Sequence, residues 1–159
     1  MARDDARAEA DRRGRGEQLG QALARALSGQ TLGDRWIIEG LLGVGGMGVV
    51  LGATDGPDGA PVVAKVIAPQ LAPAQWAAFV KASRREALAL RRLSDRRPPS
   101  PYIVRFFDEG EVEVKVPQRV STNVFDDDVI PIRYLILEYV DGGAQGTTLH
   151  ERIHKSLRE

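Results

Sequence analysis

The chain has 159 residues, 43% of them hydrophobic, which is room for one ordinary domain with a real core. Lys plus Arg and Asp plus Glu both total 22, and a net charge of zero argues against a dedicated nucleic-acid or membrane-surface protein. No cysteine occurs, which removes disulfides and thiolate metal sites; neither a signal-peptide apolar core nor the roughly 18 consecutive apolar residues of a membrane span is present, so the expectation is a cytoplasmic protein.

Residues 1–16 alternate charges with Ala and Gly and are expected to form a disordered tail. Leu19, Ala22, Leu23, Ala26 and Leu27 then fall at helical spacing, closed by Ser28 and Gly29, which predicts a short amphipathic helix over 17–29. From Trp36 the texture changes to "WIIEGLL", a glycine stretch, "VVLGAT", a turn at "DGPDGAP", and "VVAKVI". Apolar runs separated by turn signals predict antiparallel strands. A helix is expected from Ala74 to about Leu93, ended by the breaker "RRPPSP". Then come "IVRFFDEG" and "EVEVKV", whose Val112, Val114 and Val116 alternate with charged residues as in a half-buried strand. A polar connection over 117–131 leads to a last strand, "IRYLILEYV". Asp126, Asp127 and Asp128 in that connection read as a solvated loop tip rather than a metal site.

Charge is uneven along this order. Between Lys81 and Arg105 there are eight basic and two acidic residues, while Phe106 to Asp141 holds nine acidic and three basic. No aromatic or groove-reading motif accompanies Arg84, Arg85, Arg91 and Arg92, so they read as a solvated helix flank, and no nucleic-acid partner is expected.

Leu41 to Asp55 packs five glycines into fifteen residues, and Gly43, Gly45 and Gly48 spell G-x-G-x-x-G. That spacing is shared by dinucleotide-binding folds and protein kinases. The dinucleotide form needs a helix directly after the glycines. Here Val49, Val50 and Leu51 read as a strand, which puts the glycines at a hairpin tip where backbone N–H groups can approach phosphate oxygens. Lys65 is a cation inside an otherwise apolar strand and needs a partner if buried. On the following helix, Phe79, Ala82, Leu90 and Leu93 share a face with Glu86 in its middle. Each charge answers the other if that helix packs on the sheet. Finally, "YLILEYVDGG" reads as a strand leaving the sheet for a connector whose backbone edge can meet an adenine ring.

Taken together, residues from about Leu32 to Ile153 resemble the N-terminal, ATP-binding lobe of a protein kinase. "LGVGGMGVV" is similar to the kinase glycine-rich loop, and its "GGMG" core resembles bacterial serine/threonine kinases of the eukaryotic-like type. Lys65 matches the strand lysine, Glu86 in "RREALALRRL" the helix-C glutamate, and "LILEYVDGG" the hinge. The resemblance implies an α+β fold, a kinase-like N-lobe with a five-stranded antiparallel sheet and one helix C over residues 30–141, carrying an insertion at about 117–131. It further implies that the backbone of Gly43, Val44, Gly45, Gly46, Met47 and Gly48 covers the ATP phosphates, that Leu42 belongs to the same cofactor site, and that Val50 packs on the adenine. Lys65 and Glu86 would be the catalytic ion pair, Leu137 the gatekeeper, and Glu138 and Val140 the backbone contacts to the adenine edge.

Departures accompany the match. Val63 stands where the kinase strand usually has alanine. No H-R-D, D-F-G or A-P-E motif occurs among the 159 residues, so residues 142–159 are expected to be a post-hinge segment and the start of a truncated C-lobe. Those motifs carry the catalytic aspartate and the magnesium contacts. The expectation is a fragment of a kinase, inactive alone, with Mg2+ and a protein substrate belonging to a longer parent, and with a tendency to self-associate through the uncovered lobe face. A pseudokinase-like binding module is the alternative. His150, Glu151 and His154 also spell H-E-x-x-H, a zinc-hydrolase signature that lacks an evident third ligand here.

Overall fold

In a computed structural model of the protein, residues 2–45, 48–69, 73–116 and 129–141 are described. The elements in chain order are α1 (Ala2–Leu27), β1 (Thr31–Leu32), β2 (Trp36–Gly45), β3 (Gly48–Asp55), β4 (Pro61–Ile67), α2 (Trp76–Ser94), β5 (Phe106–Lys115) and β6 (Val129–Glu138), with a single 3-10 turn, Pro73–Gln75, leading into α2.

Period-two alternation organises the strands. Val49, Leu51 and Ala53 of β3, Val62, Ala64 and Val66 of β4, and Ile130, Ile132, Tyr134 and Ile136 of β6 are all buried in one cluster. The residues between them, among them Val50, Val63 and Lys65, therefore lie on the opposite face. Every strand pair is antiparallel, in the order β1-β2-β3-β4-β6-β5. The sheet curls until its edges approach, giving an α+β fold of two helices and a six-stranded, nearly closed, barrel-like sheet.

Polar groups stitch the seam between the two edges. Gln30 Nε2 donates to the Lys115 carbonyl at 3.3 Å, and Trp36 Nε1 donates to Asp108 Oδ2 at 2.7 Å. The Tyr134 hydroxyl lies against Gly33 and Gly110, where any Cβ would collide with it. Its burial, reinforced by the nearby Asp108 and Asp34 carboxylates, pushes the phenol pKa up.

The C-terminal half of α1 closes the barrel's inner face, with Leu23, Ala24 and Leu27 entering the same cluster as Leu32, Trp36, Ile38, Val49 and Leu51. The helix ends as its sequence suggests, at Gly29 with φ +79°, a backbone region that favours glycine. Its start is a correction. The segment expected to be a disordered tail, 1–16, is helical from Ala2, so one helix replaces a tail plus a helix over 17–29. Alanine content favours helix even where apolar residues are scarce. Leu23 and Leu27 pack in the same core cluster as the strands.

Two further corrections concern the sheet. It has six strands rather than five, because Thr31 and Leu32 turn back at Gly33 and pair with Ile37 and Trp36. The polar insertion expected over 117–131 ends earlier than that, since Val129, Ile130 and Pro131 already pair with Lys115, Val114 and Glu113. Burial of Ile130 and Ile132 explains why a segment containing proline is held as strand. Among the described residues, no helix is long and apolar enough to cross a membrane.

Candidate nucleotide site

The glycine hairpin is formed by the ends of β2 and β3, where Gly45 pairs with Gly48 and Gly43 with Val50. Irregularities in β2 between Ile38 and Gly40 and between Leu41 and Gly43 bend it as it approaches this tip. The motif glycines do different work. A Cβ on Gly48 would overlap the Val66 carbonyl oxygen, so that position must be glycine for the hairpin to lie on β4. Gly43 has nothing within 4 Å of where a Cβ would stand, and Gly45 meets only the Gly48 carbonyl oxygen, at 3.8 Å. Packing within the chain therefore leaves both of these positions uncommitted. Gly48→Ala is expected to lower stability by about 1–3 kcal/mol through overpacking against backbone, whereas Gly43→Ala should leave it nearly unchanged; equilibrium urea unfolding of both variants checks the contrast.

Strand register assembles a face beside the hairpin. Val50 stands opposite Lys65, Gly52 opposite Val63, Val63 opposite Leu137, and Lys65 opposite Leu135. Directly opposed residues share a face, and Leu42 joins them, its Cγ 3.8 Å from where a Gly52 Cβ would be. The result is an apolar strip of Leu42, Val50, Val63 and Leu137 with the Lys65 ammonium at its end. Leu42 remains 46% exposed.

Lys65 is held by α2. Its Nζ donates to Glu86 Oε1 at 2.8 Å and to Oε2 at 2.7 Å. The two side chains are 24% and 34% exposed, so the pair is shielded from bulk water yet reachable from the strip. This juxtaposition unites residues 21 apart in sequence on a strand and a helix.

The remaining residues expected at the site fall as follows. Val44 turns its side chain away from the strip toward α1, where a Cβ on Gly20 would come within 2.8 Å of Val44 Cγ2. Glu138 ends β6, its N–H donating to the Arg105 carbonyl at 2.9 Å and its carboxylate accepting from the Arg105 N–H at 3.0 Å. Val140, just beyond, is exposed. Gly46 and Met47, Asp126 to Asp128, and His150, Glu151 and His154 lie outside the described residues. Among the described residues, no group of three or more acidic or histidine side chains is placed to hold a metal ion.

One cluster went unanticipated. Arg133 of β6 is buried, 4% exposed, with its guanidinium donating to Glu109, to Glu111 Oε1 at 3.1 Å and to Ser83 Oγ of α2 at 3.1 Å. Arg84 and Arg91 of α2 reach the same two carboxylates, Arg84 to Glu111 at 2.8 Å and Arg91 to Glu109 at 3.0 Å. The hydrogen bond from Arg84, joined by the charges of Arg84 and Arg133, holds the Glu111 carboxyl below the usual glutamate range. Thus two of the arginines expected to be a solvated flank are helix-to-sheet fasteners. The signal was present in sequence: Arg133 is a cation in an apolar strand, the same anomaly that singles out Lys65.

No protein-family model matches the chain, and a search of curated proteins finds no match either.

Proposed function

We propose that these residues form the ATP-binding part of a serine/threonine protein kinase. The observation that carries the reading is the Lys65–Glu86 pair at 2.7–2.8 Å, set at the end of an apolar strip beside a glycine hairpin. A buried-side lysine held by a carboxylate is oriented, and its remaining donor capacity suits an anionic group such as a phosphate. Leu42, Val50, Val63 and Leu137 offer a flat apolar surface of the kind that receives a purine ring, while the uncommitted Gly43 and Gly45 let backbone N–H groups come close to phosphate oxygens. Phosphoryl transfer also needs a base and magnesium ligands. The sequence contains no H-R-D or D-F-G to supply them, so this chain is proposed to bind nucleotide without turning it over, transfer requiring further sequence from a longer protein.

Isothermal titration of the 159-residue chain with ATP and, separately, with adenosine tests the reading. Saturable binding of both, tighter for ATP, is the expected result. Absence of heat and of any thermal stabilisation at millimolar ATP would overturn it.

A further inference from the structure

We propose that Arg133 is a positioning residue: its buried guanidinium, reaching Ser83, sets the pose of α2 that brings Glu86 to Lys65. The functional consequence rests on the nucleotide reading of Lys65 and Glu86, whereas the positioning itself rests on geometry alone.

Arg133 and Lys65 stand on the same face of the sheet. Register pairs Lys65 with Leu135 and Ile67 with Arg133, so the two cations are displaced by two residues along neighbouring strands. Each takes hold of α2, and their targets, Ser83 and Glu86, are three residues apart, about one turn on the same helix side. Two grips one turn apart fix both the rotation of a helix and its height above a sheet. One grip would leave it free to pivot.

The fully buried contacts of α2 are few, its larger apolar residues Phe79, Val80, Leu90 and Leu93 being only partly buried. Ser83 and Ala87 are the buried residues of α2, and neither offers much apolar area. The outer contacts, Arg84 to Glu111 and Arg91 to Glu109, involve arginines that are 62% and 54% exposed. Such exposed pairs are weak and tolerant of movement. The Arg133 side chain, by contrast, is 5% exposed and shares both of those carboxylates. It therefore converts two loose surface pairs into one network anchored inside the fold. A guanidinium fork can serve three acceptors in a fixed plane, which a lysine ammonium cannot reproduce.

The test uses distances. The chain has no cysteine, so Asp58→Cys and Ala89→Cys introduce spin labels at one exposed site in the turn between β3 and β4 and one on α2 only. Electron-spin distance measurements on the full chain are then made with Arg133→Met, Arg133→Lys and Ser83→Ala. The expected result is a population at altered distance that rises about tenfold in Arg133→Met, by less in Ser83→Ala, and is not restored by Arg133→Lys. Affinity for ATP should fall while affinity for adenosine holds. An unchanged distance distribution in Arg133→Met overturns the proposal, even if that variant melts earlier; should Arg133→Met not fold, an unchanged distribution in Ser83→Ala overturns it. If the parent chain binds no ATP, the nucleotide reading fails while the distances still decide the positioning.

Discussion

Lys65→Met is expected to weaken ATP binding by about 10–100-fold while leaving adenosine affinity within a few-fold, because a lost charge-assisted hydrogen bond to a phosphate costs about 1.5–3 kcal/mol. The substitution keeps the length of the side chain and its apolar stem along β4, so strand packing is preserved. It leaves Glu86 without its cation, but that carboxylate is 34% exposed and can take water instead. The folded state should therefore persist, with a modest change in melting temperature. Titration calorimetry with both ligands, beside a thermal melt, separates the two effects. Equal affinity of the variant and the parent for ATP would remove Lys65 from the site.

The second large effect is on stability. Leu27→Ala is expected to cost about 2–5 kcal/mol, since Leu27 is fully buried and its neighbours in the cluster cannot collapse into the space left. For a domain of this size that corresponds to a fall in melting temperature of about 4–20 °C. Leu27 lies on α1 but its burial is against the barrel, so this one substitution reports whether the N-terminal helix is part of the cooperative unit. Leu88→Ala on α2, at a residue 48% exposed, is the control and should change stability by less than about 0.5 kcal/mol. If Leu27→Ala melts like Leu88→Ala, α1 does not contribute to the core.

Both experiments draw on the same division of the molecule. One face of the sheet is filled by α1 and is mostly apolar. The other carries Lys65, Arg133, Glu109 and Glu111, whose hydrogen bonds and ion pairs reach α2 beside its partly buried apolar residues. A helix attached by charged groups is easier to shift than one attached by leucines, because the contacts can exchange with water at little cost. The Lys65–Glu86 pair sits on that adjustable side.

How much of this was legible beforehand follows from the range of each interaction. Strand alternation, the glycine hairpin, the stop at Gly29 and the helix between "VVAKVI" and "RRPPSP" are local, and the residues that encode them are adjacent. Lys65 and Glu86 could be matched in advance because each breaks an apolar pattern and only a partner resolves it. Where the reading missed, the causes differed. Residues 1–16 looked too polar to be ordered, yet helix propensity needs no apolar residues. The strand Thr31–Leu32 is too short to announce itself and exists because Gly33 folds it onto β2.

The sequence by itself therefore determined the α+β class, the antiparallel character of the long strands, and which two charges had to meet. Only the tertiary structure decided that α1 belongs to the core and that the sheet closes on itself through Trp36, Asp108 and Tyr134. It alone placed Arg133 beneath α2 and turned Val44 away from the site. The physical reason is that burial and curvature depend on every strand at once. A single residue reports its own preference for helix, strand or turn, but which face of the sheet it meets is set by partners far away along the chain, as between Gln30 and Lys115, 85 positions apart.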